Sequence, residues 1–183
     1  MLYVCSIYLV VGSIGLWTLL LFASIKDIQT RTYPNRLAAT VFAVCLSLAL
    51  CCAWFDCYFA RAEAGGFIEA VLRCFCLSSR VCITRSVIAN VATRIAVAVG
   101  TLGVLLGSEM LHRMIVGRPG LGMGDIKCVT SVALVYPWAL LAFCLGCVVL
   151  AFVGLVLRVR SWPALPFFTC FLFVLTLVSA VCL

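Results

Sequence analysis

Apolar residues run through this chain in stretches of about 20, each broken by a short cluster of charged, Gly or Pro residues. A stretch of that length is long enough to carry a helix across a bilayer's hydrocarbon core. The pattern predicts membrane helices over 3–25, 37–59, 95–112, 123–137, 138–157 and 165–183. These make an all-α, polytopic integral membrane protein with about six transmembrane helices. The fourth is short, and Tyr136-Pro137-Trp138 predicts a tight turn after it, with aromatics at the level of lipid headgroups. A helix of about 15 residues covers only about 22 Å. Its start must lie below the membrane surface or lean on its neighbours.

The stretch 60–94 fits the pattern least well. From Phe67 to Ala92 it mixes apolar residues with Glu69, Arg73, Arg80 and Arg85, as an interfacial amphipathic helix does. It can equally hold the first part of the third span. The first apolar run lacks a basic leader segment and exceeds the length of a secretory signal core, so it is read as a retained span.

Composition agrees: 66% of the 183 residues are hydrophobic and 10% charged, against roughly 25% charged in a soluble chain. The whole chain, 1–183, reads as a single membrane-embedded domain. The net charge of +7 is scattered through the connections between spans. That distribution suits an anionic lipid surface, worth about 1 kcal/mol per basic residue, and points away from nucleic acid.

With the N-terminus outside, the connections 26–36, 113–122 and 158–164, with Lys127, hold eight of the 13 basic residues; the opposite side holds the other five. The asymmetry favours that orientation. Arg94, at the edge of the third span, is expected to snorkel outward.

The 13 cysteines mostly lack metal-ligand spacing. Cys144-Leu145-Gly146-Cys147 has CxxC spacing but lies inside an apolar span, where small packing residues are expected. Cys74, Cys76 and Cys82 fall in the 60–94 stretch. Neither a metal nor a cofactor is expected.

The chain has three aspartates, Asp27, Asp56 and Asp125. An acid kept near hydrocarbon is costly to ionise and marks a candidate functional site. Asp27 follows the first span, in Lys26-Asp27 and six residues before Pro34-Asn35. Asp125 closes Gly122-Met123-Gly124-Asp125 at the head of the fourth span. The assigned orientation puts both at the cytoplasmic side. Brought together, two carboxyls share one proton: one form acts as base toward water while the other donates to a carbonyl.

The glycines before Asp125 leave the backbone open to a substrate strand, and a helix head favours an anion. Asp125 also fits a plain helix cap, and Asp27 a plain interfacial acid. Lys26 and Lys127 either tune the acids or mark the headgroup boundary. Pro34 and Asn35 are expected to form a turn that sets the angle of Asp27. Asp56 is expected to pair with Arg61 or meet water. Glu109 and Arg113, four residues apart, are expected to form an ion pair on one helix face, with His112 an interfacial residue between them.

Asp27-x6-Pro34-Asn35 after the first span, then Gly122-Met123-Gly124-Asp125-Ile126-Lys127 two spans later, resembles the type IV prepilin peptidases. These are GxGD aspartic proteases of the bacterial inner membrane. The likeness extends to Leu165-Pro166-Phe167 before the last span. It implies that Asp27 and Asp125 are the catalytic dyad, that Pro34, Asn35, Gly122, Gly124 and Lys127 shape the site, and that the substrates are prepilin or pseudopilin precursors. Those precursors would lose a basic leader at the cytoplasmic membrane face.

Larger members carry an N-terminal methyltransferase region with two CxxC pairs in a cytoplasmic loop. No such loop precedes Asp27 here, so the chain resembles the short, peptidase-only form. Where a glycine often follows Pro-Phe, this chain has Phe168. Presenilin-like proteases share GxGD and the Pro163-Ala164-Leu165-Pro166 sequence. They place their first aspartate in the span immediately before GxGD, which this chain does not. A transporter or scaffold whose acids bind protons or ions is the non-enzymatic alternative.

Overall fold

The structure is a computed structural model that describes residues 2–30, 34–59, 87–117, 121–157 and 163–182. Among them are six helices and no strand: α1 (Leu2–Thr30), α2 (Asn35–Phe59), α3 (Val87–Val116), α4 (Met123–Ala133), α5 (Ala139–Leu157) and α6 (Leu165–Cys182). Four of these, α1, α2, α3 and α5, are long and apolar enough to cross a bilayer. The chain is an all-α polytopic membrane protein.

The helices are apolar around most of their circumference, so burial in protein does not account for every face. On α1, Leu9, Leu16, Leu20 and Ala23 are fully enclosed while Ile7, Val11, Leu21 and Phe22 point outward. Outward apolar faces of this kind suit hydrocarbon, where the helix also satisfies its own backbone groups.

Helices α1, α2, α4, α5 and α6 close a circuit through successive contacts, and α3 flanks it against α2 and α4. Close approach is bought by glycine at Gly146 on α5. A Cβ there would sit 3.2 Å from the backbone nitrogen of Phe168 and 3.3 Å from the carbonyl carbon of Phe167. The first turn of α6 therefore lies against the middle of α5. Leu165, Pro166 and Phe167 belong to that turn; Pro166 is tolerated because its missing N–H has no partner in a first turn.

Several boundaries differ from the sequence reading. Helix α1 continues through Thr30, so Asp27 lies within a helix rather than in a connection. Helix α3 begins at Val87, which gives the end of the 60–94 stretch to the third span; residues 60–86, with Cys74, Cys76, Cys82 and Arg61, lie outside the described residues. Pro34 and Asn35 make their turn as the opening of α2. The Pro34 carbonyl accepts the N–H groups of Leu37 and Ala38 at 3.0 and 3.1 Å. Asp56 belongs to α2, but its side chain lies outside the described set.

The fourth span is shorter than expected. Helix α4 has 11 residues, about 16 Å at 1.5 Å per residue. It is held by its neighbours: Ile126, Cys128, Val129, Ser131, Val132 and Ala133 are all buried. The predicted turn follows, with the Tyr136 N–H bonded to Val132 O at 2.9 Å and the Ala139 N–H to Tyr136 O at 3.0 Å. Arg94 does not simply snorkel. Its guanidinium donates to the carbonyls of Leu134 and Val135, each at 3.4 Å, and closes the foot of α4.

Candidate functional site

The alternating chain direction brings the end of α1, the head of α2, the end of α3 and the head of α4 to one side of the molecule. Asp27 lies one turn from the end of α1 and is buried. One turn earlier on the same face, Ser24 is also buried and meets Thr169 of α6 at 2.9 Å between hydroxyl oxygens. Each hydroxyl is also placed to reach its own i−4 carbonyl, Leu20 O or Leu165 O, at 2.9 Å. Each carries one proton, so one hydroxyl donates across the interface while the other donates to its own helix.

Asp125 is the third residue of α4 and is half-buried. Its carboxyl lies beside the backbone N–H of Gly122, the residue that caps the helix. That placement is the reciprocal half of a capping box. Gly122 has φ −70 and ψ 135, angles open to any residue, so backbone conformation is not why glycine stands there. A Cβ on Gly122 would lie 3.2 Å from Asp125 Oδ2, so the carboxyl would have to shift by a few tenths of an ångström to admit it. Gly124 occupies the same first turn and is half-buried.

The carboxyls of Asp27 and Asp125 lie within electrostatic reach of each other, and Cys147 of α5 lies within reach of Asp125. Three helices thus converge on one acidic site. Two further expected residues meet at its edge. Lys127 Nζ donates to Asn35 Oδ1 at 3.0 Å, joining the heads of α4 and α2. Both are exposed, so the contact steadies the rim rather than the interior.

Glu109 has a larger part than its spacing suggested. The expected ion pair is present, with Arg113 Nε 2.5 Å from Glu109 Oε1. The other oxygen, Oε2, accepts the backbone N–H of Leu121 at 2.6 Å, in the connection that enters α4. Glu109 is only 3% exposed. The signal for it was present, an acid near the end of an apolar span; its partner was not legible. The Ser24–Thr169 contact was not anticipated either.

Among the described residues, no three His, Cys, Asp or Glu side chains converge as metal ligands do. Cys45, Cys144, Cys147 and Cys170 are free thiols. In comparisons with known proteins, no family model, no curated protein and no solved structure matches this chain.

Two buried or half-buried carboxyls within reach of one another are hard to ionise together. Such a pair can hold one proton between them and titrate as a unit. The chemistry available is proton transfer, toward a water molecule and a polarised carbonyl, or uptake of a proton or cation.

Proposed function

We propose that this chain is a membrane aspartic endopeptidase that removes the basic leader from type IV prepilin-like or pseudopilin precursors. The site would face the cytoplasm at the bacterial inner membrane. The observation that supports the reading is that Asp27 and Asp125 lie within electrostatic reach of each other. Each belongs to a spaced motif, and the two come from distant parts of the sequence into one acidic site.

In this mechanism the ionised carboxyl takes a proton from a water molecule as the water oxygen attacks the scissile carbonyl carbon. The protonated carboxyl donates to the carbonyl oxygen. Collapse of the tetrahedral intermediate breaks the C–N bond: the proton taken from water passes to the leaving amine, and a hydroxyl of the intermediate returns its proton to the other carboxylate, which restores the starting pair. No acyl-enzyme forms, and the reaction as written calls for no metal. Gly122 and Gly124 leave room beside Asp125 for an extended peptide, and Lys127 with Asn35 keeps the heads of α4 and α2 in register.

The test is processing of a purified pilin-like precursor by the reconstituted protein, read by mass spectrometry. The reading expects loss of a defined basic leader. Folded protein that processes none of several such precursors, yet moves protons or ions across proteoliposomes, would replace it with the transporter reading.

A further inference from the structure

Two successive amides at the entry to α4 face two different carboxyls. Leu121 N–H donates to Glu109 Oε2 at 2.6 Å, and the next amide, that of Gly122, lies beside the Asp125 carboxyl. The peptide group is planar, so fixing the Leu121 amide leaves few torsions between that anchor and the next N–H. Gly122, between Leu121 and the first residue of α4, has no side chain to restrict it, which makes an upstream anchor matter more.

Glu109 is suited to the task. It is almost fully buried, and both of its oxygens are engaged, one by the exposed guanidinium of Arg113 and one by Leu121. A carboxylate at such a depth is destabilising unless it is paired and hydrogen-bonded, and charge-assisted bonds of this kind are the stronger and more directional ones. An ion pair on a helix surface alone would need neither the burial nor the second bond.

We propose that Glu109 is a positioning residue for Asp125: paired with Arg113, it holds the Leu121 amide so that the adjacent Gly122 amide stays aimed at the Asp125 carboxyl. The effect on cleavage rests on the peptidase reading above; the effect on the turn does not. Glu109 does not touch the reacting atoms. It acts through the backbone.

The experiment compares the full-length wild-type protein with Glu109→Ala and Glu109→Gln in lipid nanodiscs. Amide hydrogen exchange is read at Leu121 and Gly122, alongside kcat, KM and the pH profile of precursor cleavage. Glu109→Ala removes the acceptor. Exchange at both amides should rise about tenfold or more while α5 is unaffected. Cleavage should lose on the order of 100-fold in kcat with KM within about twofold, the scale on which misplaced reacting groups act. The acidic limb of the pH profile should move to higher pH, because a carboxylate that loses a donor is harder to ionise. Glu109→Gln keeps an oxygen for Leu121 and should recover to within about fivefold.

Wild-type exchange at Leu121 and Gly122 in folded Glu109→Ala overturns the proposal, as does an unchanged kcat and pH profile in a preparation whose wild type cleaves. If Glu109→Ala does not fold, Glu109→Gln decides: retained protection with near-normal kcat supports the proposal, and a 100-fold loss despite retained protection contradicts it. A wild type that cleaves nothing, with faster exchange in Glu109→Ala, removes the peptidase reading and leaves the anchor standing.

Discussion

The two ends of α4 solve the same problem with opposite charges. A helix has unpaired N–H groups at its head and unpaired carbonyls at its foot, and one of 11 residues cannot reach water at both ends of a bilayer. At the head, Glu109 takes the N–H of Leu121 and the Asp125 carboxyl lies beside that of Gly122. At the foot, Arg94 donates to the carbonyls of Leu134 and Val135. Negative groups at the N-terminus and a positive one at the C-terminus both complement the helix dipole.

The surroundings differ in kind. The foot is tied down by aromatic packing: Tyr136 is fully buried, with ring centroids 6.0 Å from Trp17 and 6.2 Å from Trp138. Trp17 in turn stands edge-on to Phe173 at 5.5 Å. The head is built from glycines, acids and an exposed lysine. A foot held by aromatic packing and a polar head suit a site carried on a fixed scaffold.

That contrast breaks most sharply at the head. On the peptidase reading, Asp27→Asn or Asp125→Asn should each cut cleavage by about 1,000-fold or more, since removing one member of a catalytic unit costs nearly as much as removing all. Thermal midpoints should stay near wild type, because neither change opens a cavity. At the foot the sign of the damage reverses. Arg94→Met leaves two carbonyls without their donor and should destabilise the fold by about 1–3 kcal/mol, read as a lower thermal midpoint in detergent. Cleavage per folded molecule should remain within about twofold.

Gly146→Ala probes the scaffold between the ends. The new methyl group meets backbone rather than a flexible side chain, and overpacking of this kind costs about 1–3 kcal/mol, here at the lower end because a single methyl is added. The smallest effect belongs to the rim. Lys127→Ala removes an exposed contact to Asn35 and should lower thermal stability by less than about 1 kcal/mol, the scale of solvent-exposed polar pairs, while reducing kcat/KM a few-fold.

The helices were legible because hydrophobic length is a local property, and so were the motif aspartates, because their spacing is read along the chain. What escaped was set by tertiary contact. Lys26, Asp27, Gln29 and Thr30 read as a polar connection, yet α1 carries them in an unbroken helix. Arg94 read as the edge of the third span; it lies inside α3 and is turned to the foot of α4. Glu109 was expected to pair with Arg113 because four residues make one helical turn. Its bond to Leu121 joins a helix to a connection 12 residues on, which no periodicity encodes.

The meeting of Asp27 and Asp125 as one catalytic unit is the central claim. It is tested most directly by precursor cleavage with wild-type protein, Asp27→Asn, Asp125→Asn and the double variant, all shown to be folded. The account predicts a defined leader released by wild type alone, with the double variant no worse than either single one. Cleavage retained in either single variant, or independent losses that multiply in the double, would contradict it.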